Sequence, residues 1–286
     1  MNTATVPHHS PPPSSVPAGP ARPNSALRGV LLLLGTVLIL GMIVSAGVRL
    51  FALATSEDYS GVHQVTEAVD SISLRTTATD VQVQYGQVAQ PEFEFTQNRN
   101  DMTLRHTVRN EELSIVVESP ARGFGFWRPS LSRHDVSDLV LTLPQDMAGV
   151  DLALRTTAGG STVDGDFGAV QLNATAGDVH LSGSAESLRL DSTATDILVQ
   201  DFATTGPVRI DQTAGQVRYH GTELPASIDV SVTASEVRFE LPTGEYEIVT
   251  HTTAGGVTQN LPNTPGAERV YTFESTAGSL HLSERP

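Results

Sequence analysis

Residues 208–219 read VRIDQTAGQVRY, and this stretch decides the fold. Val208 and Ile210 alternate with polar residues, the alternation breaks at Ala214, and it resumes one residue out of phase at Val217. Alternation with a period of two is typical of a strand that buries one face. Because a shift of one residue exchanges the two faces of a strand, the chain must turn a corner or form a bulge at the alanine.

The same pattern occurs eight times along the chain. The copies begin at Ile72, Leu152, Val170, Leu188, Val208, Ile228, Ile248 and Tyr271. From Ala158 to Ala277 the corner alanines recur at steps of 18, 18, 20, 20, 20 and 23 residues. A fixed period of this length indicates stacked coils that share one core. The sequence therefore predicts an all-β fold, a short parallel β-solenoid of about seven to eight coils with in-register strands.

A second prediction concerns the membrane. The segment Gly29–Val48 has no charged residue and consists mostly of Leu, Val and Ile. Twenty helical residues span about 30 Å of hydrocarbon, so we expect one transmembrane helix within residues 28–52. A cleaved signal peptide is the alternative, because Ala52-Leu53-Ala54 has the small-x-small form of a cleavage site. The length of the apolar run and the intervening Arg49 argue against cleavage.

The arginines that flank this segment predict its orientation. Arg22 and Arg28 precede it and Arg49 follows it, a bias that favours a cytoplasmic N-terminus. The expected localisation is the plasma membrane, with a single pass and an extracytoplasmic C-terminal domain. The expected domains are a disordered Pro-rich tail at 1–27, the helix, a linker at 53–65 and a β-solenoid ectodomain at 66–286.

The charge of the soluble part excludes one class of partner. All 32 acidic residues follow residue 49, together with 14 arginines, which gives 14 − 32 = −18, and the chain has no lysine or cysteine. Such a surface repels nucleic acid. Without cysteine there is neither a disulfide nor a thiolate metal site.

A strand-rich insertion is expected at about 84–145. The period-two alternation occurs at Phe93 and Phe95; Met102, Leu104 and His106; Leu113, Ile115 and Val117; and Leu139, Leu141 and Leu143. Pro144 lacks a backbone donor and so suits the end of the last strand. We expect Glu111-Glu112 to be the turn of a hairpin between neighbouring strands.

The loop Pro120–His134 contains the candidate contact residues for a partner. Phe124, Phe126, Trp127 and Arg128 lie between glycines and prolines. Aromatic residues in such a loop can anchor a partner. The other interpretation is that they fold back and cap an open end of the solenoid, and the need of terminal coils for a cover favours it.

A threonine precedes every corner alanine, and we expect these threonines to form an outward-facing column. A hydroxyl array that binds ice would require a second threonine column two residues away. Those positions instead hold Arg155, Asn173, Asp191 and Asp211, among others. Pairing of threonines across strands therefore explains the column better.

Acidic residues near the corners raise two further possibilities. Asp80, Asp178 and Asp196 could hold calcium, but aspartate in a turn usually caps its own backbone. Asp164 and Asp166 could serve a glycan-cleaving enzyme, but no basic partner recurs beside them. We therefore expect no catalytic residue, no metal site and no cofactor.

The chain resembles the bacterial β-strand-repeat family known as putative adhesins or Toast-rack domains. The resemblance covers about residues 60–284 and is carried by Thr175-Ala176-Gly177-Asp178-Val179 and by the strand Leu139–Pro144. It implies an envelope protein that acts in adhesion or in an envelope-stress-sensing assembly.

The sequence and the resemblance together predict a membrane-anchored, non-enzymatic β-solenoid of the cell envelope. The expected partners are the membrane and an envelope protein or polymer, and association of copies into a homo-oligomer is left open. The alternative is a membrane-tethered β-helix protein that binds or cleaves glycans.

Overall fold

The computed structural model describes residues 61–97, 102–118 and 137–285. These residues form thirteen strands and one short 3-10 helix, Gln145–Met147, so the described chain is all-β. The strands are β1 Gly61–Gln64, β2 Ser71–Thr76, β3 Thr79–Gly86, β4 Glu92–Thr96, β5 Thr103–Arg109, β6 Glu112–Glu118, β7 Ser137–Pro144, β8 Asp151–Thr156, β9 Ser161–Thr204, β10 Pro207–Gly221, β11 Ser227–Leu241, β12 Glu247–Gln259 and β13 Val270–Glu284. Within the described ranges, no helix is long and apolar enough to cross a membrane. The predicted membrane helix at 29–48 lies outside them.

The repeats stack in parallel and in register, as the sequence predicts. Ala214 of β10 pairs with Ala194 on one side and with Ala234 of β11 on the other. The apolar positions follow the same register, since Ile210 pairs with both Leu190 and Val230. β9 is 44 residues long because its extended backbone continues without interruption through the corners of successive coils. The sheet therefore curls into a solenoid.

The predicted parity of the strands is confirmed by burial. Ile210, Val230 and Phe239 are at most 1 % exposed, and they belong to one continuous apolar core. Aromatic rings stack from coil to coil in this core, with the ring centroids of Tyr219 and Phe239 4.8 Å apart. Full burial of each large apolar side chain contributes about 1.5–3 kcal/mol. Stacking is therefore what stabilises each coil.

The corners require glycine in several coils. Gly177 and Gly215 both have φ of 122°, a region that residues with a Cβ rarely adopt. A Cβ at Gly177 would also collide with the carbonyl oxygen of Gly159, which occupies the same position one coil earlier. The close approach of successive corners thus explains why glycine follows the alanine.

The C-terminal end of the stack departs from chain order. β13 pairs with β11 on one side and with β12 on the other. The last strand of the chain is therefore inserted between its two predecessors, and β12 is outermost. The repeat pattern did not predict this exchange, because every coil presents the same inward-facing residue types to its neighbours.

The other end of the stack contains a coil that the repeat pattern does not reveal. β6 pairs in parallel with β2, and β7 pairs in parallel with β3. Residues 77–78 connect β2 to β3, whereas residues 119–136 connect β6 to β7. In spatial order the described coils are β6–β7, β2–β3, β8 with the start of β9, two coils within β9, then β10, β11, β13 and β12. The described residues thus form nine parallel coils, against seven to eight expected.

Antiparallel strands complete that end. β5 pairs with the outer side of β6, β4 with the outer side of β7, and β1 with β4. The predicted hairpin between β5 and β6 is present, but its two turn residues are Asn110 and Glu111, with φ of 51° and 64°. Glu112 instead begins β6, where it pairs with Arg109.

Candidate functional site

A solvent-open groove runs along the outward face of five successive coils, beside the corners. Its volume is about 530 Å³. We call it the corner groove, and two columns of side chains line it. One column is Thr157, Thr175, Thr193, Thr213 and Thr233. The other is Arg155, Asn173, Asp191, Asp211 and Ser231.

The register of the strands determines where the side chains of both columns lie. Because Asp191 pairs with Asp211 and Asp211 with Ser231, side chains two residues before each corner threonine stand side by side. The threonines Thr157, Thr175, Thr193, Thr213 and Thr233 are exposed, as their predicted outward orientation requires. Their hydroxyl groups can each donate one hydrogen bond and accept two.

Ion pairs fix the positions of the acidic side chains in the middle of the groove. The guanidinium of Arg189 donates to both carboxylate oxygens of Asp191 at 2.9 Å, and lies 3.7 Å from Asp211. Arg209 donates to Asp211 at 2.9 Å, and this hydrogen bond raises the pKa of the Arg209 guanidinium. These pairs are largely exposed, so they stabilise the fold only slightly. Their effect is to fix the carboxylates in place.

The floor of the groove contains a buried amide. Gln212 is 4 % exposed, and its Nε2 donates to the carbonyl oxygen of Thr195 at 2.5 Å. Its Oε1 has no hydrogen-bond partner among the described residues. The equivalent positions in the two neighbouring coils hold Ser192 and Val232.

The groove is chemically asymmetric along its length. Arg155 and Asn173 line one end, Asp191 and Asp211 the middle, and Ser231 the other end. No ion pair of Arg155 exists within residues 61–97, 102–118 and 137–285, so its guanidinium is available to a ligand. The arrangement suits an extended polar ligand that accepts and donates hydrogen bonds.

The sequence did not single out this groove as a site. Its columns were predicted, but their curvature into a concavity depends on how the coils bend at each corner. A mixed column of Arg, Asn and Asp beside a threonine column was the only signal.

The residues predicted to contact a partner, Phe124, Phe126, Trp127 and Arg128, lie outside the described residues. The two strands on either side of this loop, β6 and β7, do lie within the described residues. Thr76 and Thr79, which border the corner of the β2–β3 coil, pair with Val117 and Ser137. The loop thus leaves and rejoins the solenoid at the corner row, in the coil next to β2–β3.

The acidic residues near the corners bind protein groups. Asp80 accepts a hydrogen bond from the backbone N–H of Gly160 at 2.6 Å, and Asp196 accepts one from Gln216 at 3.0 Å. Each partner belongs to the neighbouring coil. In the part of the chain that the structure describes, no group of three His, Asp or Glu side chains is arranged to hold a metal ion.

The pair weighed as a glycan-cleaving site has a similar role. Asp164 accepts a hydrogen bond from Ser182, and Asp166 accepts one from Ser184, both at 2.7 Å. These serines lie 18 residues further along the chain, one coil away. The two carboxylates therefore join neighbouring coils.

A second cluster lies in the antiparallel strands. The ring of His63 stacks on Phe93 with centroids 5.2 Å apart, and His106 meets the edge of Phe93 at 5.0 Å. Burial lowers the pKa of His106, the charge of His63 lowers it further, and Glu67 acts in the opposite direction. These surroundings favour the neutral form of His106.

Comparison with known proteins gives one family and several distant solved structures. No curated protein matches the chain significantly. A "putative cell adhesion protein" from Clostridium sporogenes is 10 % identical, with a TM-score of 0.36 over 78 % of this chain and 98 % of that one. A "putative adhesin" from Bacteroides fragilis is 10 % identical, with a TM-score of 0.38 over 80 % and 99 %. A "putative lipid binding protein" from Parabacteroides distasonis is 9 % identical, with a TM-score of 0.27 over 81 % and 98 %.

The family match covers most of the chain and agrees with the resemblance found in the repeats. The profile described as Toastrack DUF4097 matches residues 69–286. This range begins just before β2 and includes all nine parallel coils. The chain belongs to the Toastrack DUF4097 family.

Proposed function

We propose that this chain is a membrane-anchored, non-enzymatic β-solenoid of the bacterial cell envelope. It acts in adhesion or in an envelope-interaction assembly that senses stress. The observation that carries the proposal is the corner groove, in which outward side chains of five coils stand in register over one concave surface. A rigid, repetitive surface of this kind favours binding of an extended partner, as in other solenoids.

The carboxylates support a binding role over catalysis. Asp191 and Asp211 share Arg189, and Asp164 and Asp166 accept hydrogen bonds from serines. A glycosidase needs one carboxyl group that remains protonated to act as an acid. Each of these four carboxylates instead accepts hydrogen bonds or ion pairs from side chains of the protein itself, which gives it a structural role.

The proposed membrane anchor has a direct test. In the proposed topology, residues 29–48 span the membrane and the solenoid is extracytoplasmic. Protease added to intact cells or spheroplasts should then degrade the solenoid, while a cytoplasmic marker protein survives. If the solenoid survives until the cells are lysed, the orientation is the reverse.

The binding role is tested by blocking the groove in the full chain. Cells that produce the chain are treated with a reversible cross-linker, and the material captured with the chain is identified. The double variant Thr193→Arg and Thr213→Arg places two long side chains in the groove at exposed positions. We expect capture of the envelope component to fall.

The matched control is His180→Arg with Gln200→Arg. Both residues are exposed on the other strand of the coil, outside the groove. The control should capture as much as the wild type. Equal capture by the two double variants would remove the groove from the proposal. Failure of the wild-type chain to capture any envelope component would refute the binding role.

A glycan is the second candidate ligand, and the chemistry of the groove favours it. Hydroxyl, amide, carboxylate and guanidinium groups all occur along the two columns, and sugar hydroxyls form hydrogen bonds with all four. The probes are chitohexaose, maltohexaose and a hexamer of galacturonate, titrated calorimetrically into the full chain in detergent. Binding that the groove variant loses supports this candidate, turnover of a probe supports a glycan-cleaving enzyme, and no binding of any probe rejects it.

A further inference from the structure

The outer edge of β12 is a long, unprotected strand edge. β12 pairs with β13 on one side, and no strand of the described ranges lies on its other side. All residues from 253 to 259 are exposed, although the equivalent Ser235, Val237 and Phe239 of β11 are buried. The core and the hydrogen-bond ladder both stop at this strand.

The composition of the edge lacks the usual protection. From Ile248 to Gln259 the only ionisable residue is His251, and the rest are mainly Thr, Val, Gly and Ala. Natural proteins protect free edges with charged residues, proline, bulges or very short strands. The opposite end of the stack follows that rule, since β5 carries Arg105 and Arg109 and β1 has four residues.

A short loop covers only the beginning of the edge. The side chain of Asn263 accepts a hydrogen bond from the N–H of Ile248 at 2.9 Å and donates to its carbonyl oxygen at 3.4 Å. The backbone groups of Ile248 therefore point away from β13, and alternation gives the same outward direction to Thr250 and Thr252. Within the described residues, nothing comparable covers the strand beyond Thr250.

The second half of the strand is also open. The N–H of Asn260 donates to Leu282 of β13 at 2.8 Å, so alternation points the backbone groups of Val257 and Gln259 outward. Val257 occupies the core row of the solenoid but is 41 % exposed, whereas its neighbour Leu280 is 2 % exposed. A strand added here would extend the ladder and cover this valine.

We propose that β12 pairs in antiparallel fashion with β12 of a second copy of this chain, which joins two solenoids end to end about a two-fold axis. The soluble part of the chain carries a net charge of −18, so most of its faces repel a second copy. The uncharged edge is the surface on which two copies meet without opposing like charges. A two-fold contact uses the same edge twice and closes at the dimer. This inference is independent of the ligand of the corner groove.

Site-specific cross-linking tests the proposal in the full chain. The chain has no cysteine, so each introduced cysteine is the only one. Thr250→Cys, Ala254→Cys and Val257→Cys are produced one at a time in cells and treated with a short bis-maleimide. At one or more of these positions, we expect a covalent species of twice the 30.3 kDa of the chain. The yield should be highest at the position nearest the two-fold axis.

The matched control is Val62→Cys, an exposed valine on the edge strand β1 at the opposite end. It should give no cross-linked species alone. If Val257→Cys cross-links only when mixed with Val62→Cys, the contact is head to tail and the two-fold dimer is wrong. Absence of cross-linking at all three β12 positions also overturns the proposal.

A pair of lysine variants provides a second measurement. Val257→Lys places a charge on both copies at the centre of the contact, while Val62→Lys adds the same charge elsewhere. Measured by light scattering of the full chain in detergent, Val257→Lys should be monomeric and Val62→Lys dimeric. Val62→Lys should melt at the wild-type temperature, and Val257→Lys at the temperature of a wild-type sample diluted until it is monomeric, because both sites are exposed and association stabilises the folded chain. A dimer that persists in Val257→Lys and in Gln259→Lys contradicts the proposal.

Discussion

Ala277 lies beside Ala234, although Ala254 stands between them in the sequence. The C-terminal strand β13 thereby forms two interfaces, with β11 on one side and β12 on the other. Its side chains Tyr271, Phe273, Leu280 and Leu282 are at most 2 % exposed. Residues 270–285 are therefore central to the C-terminal end of the stack.

Removal of residues 270–286 should destabilise the domain far more than loss of a terminal coil. The deletion removes four side chains whose burial contributes about 1.5–3 kcal/mol each. It also removes the one strand among the described residues that pairs with β12. Hydrogen exchange should show loss of protection throughout β12 and increased exchange in β11. Unchanged protection of β12 in the shortened chain would contradict the inserted position of β13.

The inward and outward positions of β11 can be compared directly. Val230 is 1 % exposed, and its neighbour Ser231 lines the corner groove. Val230→Asp buries an unpaired charge and should cost several kcal/mol, whereas Ser231→Asp should change the stability by less than about 0.5 kcal/mol. Thermal melting of the two variants measures the difference. Similar melting temperatures would mean that the parity of the strand is wrong.

Glycine at the corner is expected to be essential where successive coils approach each other. Gly177→Ala forces a Cβ into the carbonyl oxygen of Gly159 at a φ of 122°. The expected cost is about 1–3 kcal/mol. Gly256→Ala is the matched control, because a Cβ there has no atom within 4 Å and the strand is outermost. If both variants unfold at the same denaturant concentration, the close packing of the corners is not what selects glycine.

The sequence predicts the coil but not the order of the coils. Alternation around Ala214 determines which side chains face inward, and the recurring alanine sets the register, so both could be derived from local patterns. The pattern does not determine which coil lies next to which, because all coils present nearly the same residue types to one another. Ala277 matches both Ala234 and Ala254, and nothing local distinguishes this insertion from simple succession.

The ninth coil was missed for a different reason. β6 and β7 have the inward residues of a coil, Leu113 and Ile115 in one strand and Leu139 and Leu141 in the other. The corner between them is replaced by residues 119–136, which removes the alanine that identifies the other coils. The corner groove could not be derived either, because its concavity is a property of several coils together.

Acidification should loosen the antiparallel end of the stack. The pKa of His106 is lowered in the folded chain, chiefly by burial, so the unfolded chain binds a proton at pH values where the folded chain does not. The contribution of neutral His106 is present above a pH of about 6.5 and is lost as the pH falls. Melting temperatures at pH 7.5 and pH 5.5 should differ more for the wild type than for His106→Gln. His281→Gln, at the other end, should retain the wild-type difference.

The aromatic loop is predicted to contact a partner and not to stabilise the fold. Capping was expected only because an open solenoid end exposes core and strand edges. The structure shows that β5 and β4 already pair with the outer sides of β6 and β7, so this outermost coil is covered without residues 120–134. Replacement of Phe124, Phe126 and Trp127 by serine should therefore leave the melting temperature nearly unchanged. Capture of the envelope partner by cross-linking should be lost, because interface aromatics act locally.

The control is Val62→Ser, which changes an exposed apolar residue on β1 and should affect neither measurement. A lower melting temperature for the triple variant would instead identify the loop as a cap, and full capture with full stability would place the contact elsewhere, with the corner groove as the next surface to test.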